Sequence, residues 1–287
     1  MYFIFYFFSI LFILNKVQLS EIYKDNNIIV SLTSFPPRIK TVHLTIQSIL
    51  NQNMKPYKVI LWLATTQFPE GNKSLPQNLL NLTNKGLSIE YYNQDIKSYK
   101  KLIPALKKYP NNLIVTADDD LIYNKNWLQK LYNSYLKYPK DISVHRVTKF
   151  FYKKKKFHII TGGKKYYKTP SFLNKLTSGS GALFFPGCFY KDILDDDKFM
   201  SLAPTNDDIW FWLQAVLNGV KIRVVENPII KLNYIPKSQK VALYKINDQG
   251  KKLFWKDFYR ILNFYSNLKT ILINEYQEMI IPKIEEL

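Results

Sequence analysis

The stretch Leu113-Ile114-Val115-Thr116-Ala117-Asp118-Asp119-Asp120 joins five apolar or β-branched residues to three consecutive carboxylates. Its first five residues are typical of a strand buried on both faces of a parallel sheet. Acids are tolerated only where such a strand leaves the core, and ligand sites of open α/β sheets lie at that end. A hard divalent ion that carries phosphates would relieve the repulsion among three carboxylates. The alternative is a solvated turn that caps a helix beginning near Lys125.

Short β-rich segments alternate with helical segments from Ile28 onward. This alternation predicts an α/β fold with a mostly parallel central sheet flanked by helices in a single domain. We predict strands at 28–33, 58–63, 88–92, 113–117, 142–145 and 183–185. We predict helices at 41–51, around Leu79, at 102–109, from Trp127 to Tyr135 and from Asp207 to Asn218.

Composition restricts the class of partner. The chain has 41 Lys and Arg against 22 Asp and Glu, a formal charge of +19, and its 47% apolar content argues against disorder. Such a charge favours polyanions: nucleic acid, an anionic membrane surface or phosphorylated small molecules. Because Lys, Asn, Ile, Tyr and Phe are all abundant, a compositional bias toward lysine explains the charge equally well.

The number and spacing of the cysteine and histidine residues exclude a disulfide framework and a zinc site. Cys188 stands alone in the sequence, so no internal disulfide framework exists. His43, His145 and His158 are scattered and lack zinc-site spacing. Any metal must therefore be held by oxygen ligands.

The N-terminus, MYFIFYFFSILFIL over residues 1–14, is almost entirely apolar. It is shorter than the roughly 20 residues of a spanning helix and lacks the charged and small-residue regions of a signal peptide. We expect residues 1–20 to be a membrane-associated or signal-like segment, followed by a catalytic domain at 21–235 and a helical extension at 236–287. We expect a cytoplasmic protein, peripheral to or anchored at the inner face of the membrane.

Two segments of the second half differ in character. Lys149 to Lys175 is basic and irregular, which predicts a surface insertion or mobile loop. Ser178-Gly179-Ser180-Gly181 then precedes a strand, and two glycines so placed predict close approach of the backbone to a ligand or neighbour. The third glycine and following helix of a dinucleotide fingerprint are missing.

A second acidic pair, Asp207 and Asp208, begins a predicted helix. A helix cap is the simpler interpretation, because the helix dipole favours acids there. A cap needs only one carboxylate, however, and the pair leaves one to spare. Burial of a carboxylate against Trp210 and Phe211 would raise its pKa to a value suited to a general base. Together with Asp118–Asp120, the pair indicates a metal-type cluster and a separate base, which suits transfer from a diphosphate donor.

These residues resemble bacterial glycosyltransferases of the GT-A fold, especially the family-2-like group that decorates cell-surface polysaccharide. The resemblance covers roughly residues 28–233 and depends on the order of its motifs. It implies a metal-dependent, inverting hexosyltransferase-type enzyme that uses a nucleotide-diphosphate sugar and Mn²⁺ or Mg²⁺. The implied acceptor is a hydroxyl of a cell-surface glycan or lipid-linked molecule, with no nucleic acid partner. The motifs are Ile28–Ser34 with Phe35-Pro36-Pro37-Arg38, Tyr99–Leu102, Asp118–Asp120, Gly179–Gly187 and Asn206–Trp210.

The resemblance also implies residue roles. The Asp-x-Asp motif falls on Asp118 and Asp120, with Asp120 binding the metal most directly and Asp118 contacting the metal or the ribose. Asp208 is the favoured catalytic base, with Asp207 next. The residues implied in nucleotide-sugar binding are Thr33, Ser34, Arg38, Asp95, Lys101, Asp118 and Asp119.

The chain departs from the family pattern after its second strand. Leu63-Ala64-Thr65-Thr66 offers no acidic residue to hold the nucleotide base. Asp95, after the third strand, is assigned a nucleotide contact instead, which leaves the identity of the nucleotide open.

Three other functions compete. A sugar nucleotidyltransferase has a related sheet but usually a Gly-rich phosphate loop near the first strand, and none is present. A non-enzymatic module that binds polyanions through Lys153–Lys156 is opposed by the acidic clusters at the presumed cleft. Glycoside hydrolysis also uses paired carboxylates but needs no metal cluster.

Overall fold

The computed structural model describes residues 27–160, 169–241 and 253–280. The apolar segment predicted over residues 1–20 lies outside these ranges. Among the residues that are described, no helix has both the length and the apolar character needed to cross a bilayer. Strands and helices alternate along the first half of the chain, as the sequence pattern predicts.

The predicted strands and helices of the first half are confirmed, with ends that shift by about one or two residues. The strands are β1 (Ile28–Thr33), β2 (Lys58–Ala64), β3 (Leu87–Tyr92), β4 (Leu113–Ala117), β5 (Ile142–Val144), β6 (Val147–Lys153), β7 (Lys156–Ile160), β8 (Asn174–Leu176), β9 (Ala182–Phe184) and β10 (Ile222–Val224). The α-helices are α1 (Val42–Leu50), α2 (Gln77–Leu80), α3 (Ile103–Lys108), α4 (Trp127–Lys137), α5 (Asp196–Leu202), α6 (Asp207–Leu217), α7 (Leu253–Phe264) and α8 (Leu268–Ile280).

Seven strands form the central sheet in the order β10-β5-β9-β4-β1-β2-β3. Strand β9 is antiparallel to both of its neighbours, and the other pairings are parallel. The predicted α/β class with a mostly parallel sheet is therefore confirmed. Leu32 of β1 lies beside Ala117 of β4 in the register. The loop after β1 and the three acids after β4 thus leave the sheet side by side.

The central strands are buried on both faces because helices cover each side of the sheet. Along β1, Ile28, Val30 and Leu32 belong to one hydrophobic core. Ile29 points to the other face and belongs to the core that contains most of α6. Burial on both faces accounts for the nearly continuous apolar strands of the sequence.

The prediction of a mobile loop over Lys149–Lys175 is wrong for the part of this segment that the structure describes. Strands β6 and β7 form an antiparallel hairpin, and β8 pairs with the other edge of β6. Lys154 and Lys155 have φ values of 49° and 60°, as the two central residues of a type I′ hairpin turn require. That turn usually has the sequence Asn-Gly, so the lysine run gave no turn signal. Phe150 and Phe157 are buried on this small sheet.

Helix α7 packs onto α6 and the small sheet. Phe258 of α7 stacks on Trp212 of α6, with ring centroids 5.8 Å apart. Phe150 lies 4.7 Å from the Trp212 ring and 5.2 Å from the Phe258 ring. Asp257 of α7 accepts a hydrogen bond from Asn206 Nδ2, just before α6. Helix α7 therefore helps to fix the residue at which α6 begins.

His145 is buried, and both of its ring nitrogens contact the backbone. Nε2 lies 3.0 Å from the carbonyl oxygen of Trp127, and Nδ1 lies 3.2 Å from the amide nitrogen of Ile229. These contacts fit a neutral ring that carries its proton on Nε2. Burial lowers the pKa of His145 from 6.5 to about 4. Between these pH values the unfolded chain binds a proton that the folded chain does not.

We therefore expect His145 to make folding less favourable as the pH falls from 6.5 toward 4, by up to about 3 kcal/mol. Urea unfolding of wild type and His145→Asn between about pH 7 and pH 5 measures this effect, and the variant should show a smaller pH dependence. His158→Asn is the matched control, because His158 is exposed. Equal pH dependence in wild type and His145→Asn would contradict the assignment.

Candidate active site

A cleft of about 910 Å³ opens at the carboxyl ends of β1 and β4, where ligands bind in open α/β sheets. Every residue for which the sequence predicted a site role lines this one cleft. These residues are Thr33, Ser34, Arg38, Asp95, Lys101, Asp118, Asp119, Asp120, Asp207 and Asp208. The structure thus brings the two acidic motifs together, although 85 residues lie between Asp120 and the Asn206 that precedes the second pair.

Lys101 lies between the two acidic motifs. Its Nζ is 2.6 Å from Asp118 Oδ1 and 3.2 Å from Asp207 Oδ2, the second contact being an ion pair outside hydrogen-bonding geometry. Ser178 Oγ lies 3.5 Å from the same nitrogen. Burial opposes the charged amine, but Asp118, Asp207 and Asp208 raise the pKa of Lys101 well above its usual value. The lysine is therefore charged and joins the motifs.

Arg38 and Ser34, from the loop after β1, hold the other two acids of the first motif. Asp119 Oδ2 accepts a hydrogen bond of 2.6 Å from Ser34 Oγ, and its Oδ1 lies 2.6 Å from Arg38 Nη1. Arg38 Nη2 lies 3.0 Å from Asp120 Oδ2, which also accepts a 2.7 Å hydrogen bond from Gln239. Burial and, next, the charge of Asp118 raise the pKa of Asp120 to about 6. Asp119 is therefore fully engaged, whereas Asp120 keeps one oxygen for another ligand.

The second pair stands at the first turn of α6. Asp208 Oδ1 accepts hydrogen bonds from the amide of Ser178, at 3.0 Å, and from its hydroxyl, while Oδ2 lies 3.6 Å from Lys175 Nζ. Asp207 Oδ1 accepts a 2.8 Å hydrogen bond from Ser98 Oγ. The N-cap position is taken by Asn206, whose side chain makes no cap hydrogen bond, and both aspartates lie within the first turn.

The two carboxylates of this pair have opposite pKa shifts. Burial raises the pKa of Asp207, as we predicted for a carboxylate beside the aromatic residues of α6. At Asp208 burial acts in the same direction, but Lys175, Lys101 and the two Ser178 hydrogen bonds outweigh it and lower the pKa. The raised pKa predicted for a base therefore falls on Asp207, and Asp208 stays ionised.

Two glycines permit the close approach that the sequence predicts. A Cβ at Gly179 would lie 1.7 Å from Asp118 Oδ2, and a Cβ at Gly181 would lie 2.3 Å from the indole nitrogen of Trp127. Gly181 also has a φ of +111°, which L residues rarely adopt. Tyr123 accepts a hydrogen bond from the amide of Asp118 and donates one to the carbonyl of Gly179. The glycine segment therefore packs directly against the first acidic residue.

Asp95 and Thr33 complete the predicted residues. Asp95 Oδ1 accepts hydrogen bonds from Lys100 Nζ and from the amide of Lys97, and its Oδ2 accepts one from Gln67. Thr33 donates to the carbonyl oxygen of Trp62. Both residues face the cleft from the side of β2 and β3.

Sequence reasoning missed several residues of the cleft. Ser178 was available as a signal, since it begins the glycine segment, but nothing indicated its contact with Asp208. Lys175 stands in the segment that we predicted to be irregular. Other missed residues follow no pattern that the sequence reveals; among them are Gln67, Ser98, Gln239, Phe254 and Trp255.

Within the described residues, no three Asp, Glu, His or Cys side chains converge as a complete metal site. Two hard carboxylates nevertheless line the cleft close enough for their charges to interact, Asp118 and Asp120. Each has one oxygen held by a cationic side chain, Lys101 or Arg38. Their other oxygens are of the chemical kind that a divalent cation such as Mg²⁺ would take as ligands.

The sequence model of the family described as Glycosyl transferase family 2 matches residues 37–190. The chain belongs to this family and is a glycosyltransferase. No curated protein sequence matches the chain.

Solved structures with the same GT-A fold include residues 1–349 of TarS from S. aureus. That structure is 15% identical, with a TM-score of 0.50, and the match covers 87% of this chain and 69% of the other. Its complex with UDP is 14% identical over 88% of this chain and 71% of the other, also at a TM-score of 0.50. A third structure is the complex of the same protein with UDP-GlcNAc, which is 15% identical. The match covers 87% of this chain and 70% of the other, with a TM-score of 0.50. Identities this low show the shared fold alone.

Proposed function

We propose that this glycosyltransferase is metal-dependent and inverting, and that it transfers a sugar from a nucleotide-diphosphate donor to a hydroxyl of a cell-surface glycan or lipid-linked acceptor. The observation that carries the proposal is the meeting of both acidic motifs in one cleft, with Lys101 between them. Family membership favours sugar transfer over polyanion binding and over nucleotidyl transfer. Because the TarS structures contain UDP and UDP-GlcNAc, UDP sugars are the first donors to test.

The donor is proposed to lie along the ends of β1 and β4. Thr33, Ser34 and Asp95 are proposed to contact the nucleoside of the donor, and Arg38 its diphosphate. A bound diphosphate would draw Arg38 partly away from Asp119 and Asp120, since phosphate oxygens are strong partners for a guanidinium. Asp119 then holds the side chains of Ser34 and Arg38 in position through its contacts with both.

Asp118 and Asp120 are proposed to hold Mn²⁺ or Mg²⁺ together with the donor diphosphate. The ion, when bound, neutralises charge that develops on the leaving diphosphate. The chain itself supplies Lys101, whose ion pair holds the Asp118 carboxylate in position.

Asp208 is proposed to accept the proton of the acceptor hydroxyl. As the acceptor oxygen forms its bond to the anomeric carbon, the bond from that carbon to the diphosphate oxygen breaks on the opposite face, which inverts the configuration. The proton passes to the carboxylate of Asp208, which is ionised and lines the cleft. Asp207 is the second choice because Lys101 and Ser98 already engage it.

We propose that the catalytic domain spans residues 21–235, with a helical extension at 236–287 that closes the cleft through α7. Residues 1–20 are proposed to associate with the membrane, so that the enzyme works at its inner face near lipid-linked or surface-glycan acceptors. Fractionation of the full chain and of a chain lacking residues 1–20 tests this placement. Equal distribution of the two proteins would contradict it.

Asp120→Ala tests the metal assignment. We expect this variant to lose manganese-dependent stabilisation by a UDP sugar and to lose transfer, because the metal then keeps too few protein ligands. Thermal unfolding with a panel of nucleotide sugars, with and without manganese, measures donor binding directly. Asp197→Ala is the matched control, since Asp197 is exposed and does not line the cleft. Full activity in Asp120→Ala would refute the assignment.

A further inference from the structure

The cleft has a second wall whose chemistry differs from that of the acidic end. Phe254 and Trp255 of α7 line it together with Ile159 of β7. All three side chains are half-buried. The two aromatic rings lie 5.3 Å apart and nearly perpendicular, at 86°. The enzyme thus presents aromatic surface to the same cavity that contains its acids.

Trp255 is exceptional among the tryptophans of this chain. The other four are all buried; they are Trp62, Trp127, Trp210 and Trp212. Phe258, one turn along the same helix, is also fully buried. Trp255 packs partly against this core, with its ring 5.8 Å from that of Phe150 and 5.7 Å from that of Phe258. The rest of its indole lines the cleft, and aromatic side chains that line a pocket are typical of ligand sites.

Lys175 connects this wall to the proposed base. Its Nζ lies 3.6 Å from Asp208 Oδ2 and 5.8 Å from the centroid of the Phe254 ring. One lysine side chain therefore spans the gap between the aromatic wall and Asp208. A molecule that rests on the wall has its nearest edge close to the carboxylate that accepts the proton.

Polar side chains also line the cleft, among them Thr148, Thr205 and Asn206. Asn206 hydrogen-bonds to Asp257 of helix α7, two residues from Trp255. A groove for a lipid chain would be apolar along its whole length. An indole face with a few polar groups around it suits a ligand with both an apolar face and hydroxyls. A pyranose ring has these properties, because its C–H bonds form one face and its hydroxyls project from the rim.

We propose that this aromatic wall is the acceptor subsite, and that the accepting group is a pyranose ring stacked on Trp255 with a hydroxyl directed toward Asp208. The inference rests on the proposed function and specifies it, since it assigns the acceptor as a carbohydrate at the point of transfer. A lipid, where one is attached, lies outside this part of the cleft.

The tryptophan pattern makes the subsite measurable. The probes are methyl pyranosides of glucose, galactose, mannose and N-acetylglucosamine, cellobiose, and farnesyl phosphate as the lipid alternative. Each is added to the full chain with UDP and manganese present. We expect iodide to quench Trp255 selectively and at least one pyranoside to protect it. Trp255→Phe should remove the quenchable emission, which assigns the signal to this residue.

Calorimetric titration then measures the affinity for the protecting sugar. We expect Trp255→Phe to bind within about threefold of wild type, because a stacking ring remains, and Trp255→Ala to bind at least about tenfold more weakly. Tyr57→Ala is the control, since Tyr57 is exposed and does not line the cleft. Thermal stabilisation by UDP sugars should be the same in all variants.

The outcomes separate the inference from the function on which it rests. A protein that binds a UDP sugar but shows no protection by any pyranoside overturns the acceptor subsite alone. Protection by farnesyl phosphate and by no sugar overturns it in favour of a lipid groove. A protein that binds no nucleotide sugar at all overturns the proposed function.

Discussion

Asp208→Asn is expected to slow sugar transfer by about 10²- to 10⁴-fold, the usual contribution of a general base. The substitution keeps the shape of the side chain and its position beside Ser178 and Lys175, but the amide cannot accept the acceptor proton. Donor affinity should change little, because Asp208 is proposed to contact the acceptor side of the cleft. Initial rates at saturating donor, together with thermal stabilisation by the donor, measure the two quantities separately.

Asp207→Asn is the matched comparison for this result. Asp207 contacts Lys101 and Ser98, so its substitution should weaken folding more than Asp208→Asn does. If Asp207→Asn, in folded form, loses transfer by the larger factor and Asp208→Asn keeps it, the base is Asp207. Unchanged turnover in both variants would exclude the whole pair.

Lys101→Met is expected to lower the free energy of unfolding by about 3–5 kcal/mol, because it leaves Asp118 and Asp207 without their shared cation in a buried site. Methionine keeps much of the length and packing of the lysine stem, so the effect reports the lost charge. Transfer should fall as well, because the first motif then loses the contact that fixes Asp118. Urea unfolding at neutral pH measures the stability change.

Lys108→Met is the control, because Lys108 is an exposed lysine in a surface ion pair. Lys108 pairs with Glu90 at the exposed edge of the sheet, where an ion pair contributes little, from about 0 to 1 kcal/mol. A loss in Lys101→Met no larger than in Lys108→Met would mean that the buried bridge between the motifs does not stabilise the fold. The sequence alone did not suggest this bridge, since the family resemblance implied a nucleotide contact for Lys101.

The parts of the fold that the sequence predicted well are those with strong local periodicity. The apolar strands β1, β2 and β4 and the amphipathic helix α4 have such patterns, and the structure confirms them. The hairpin β6–β7 was missed because its turn residues are Lys154 and Lys155, which are not typical of a type I′ turn. A local rule fails where tertiary packing, here of Phe150 on Trp212, stabilises an unusual turn.

The residues of the candidate site were predictable as types, but their contacts were not. Asp118–Asp120 and Asp207–Asp208 stand out because clusters of acids need a reason to persist. Nothing local indicates that Lys175, Lys101 and Ser178 lower the pKa of Asp208, or that Arg38 spans Asp119 and Asp120. Such contacts join residues distant in sequence, and a pKa depends on every charge and dipole around a group.

The sequence by itself determined the α/β class and the family to which the chain belongs. It also determined that acidic residues follow β4 and stand at the beginning of α6. Local patterns fix these features, because strand and helix periods and the placement of charges at strand ends follow from burial. Only the tertiary structure decided which aspartates Lys101 contacts, which aspartate stays ionised beside Ser178, and which aromatic side chains face the cleft. Those outcomes depend on distances between segments that the chain brings together only when the sheet and its helices have closed around a common core.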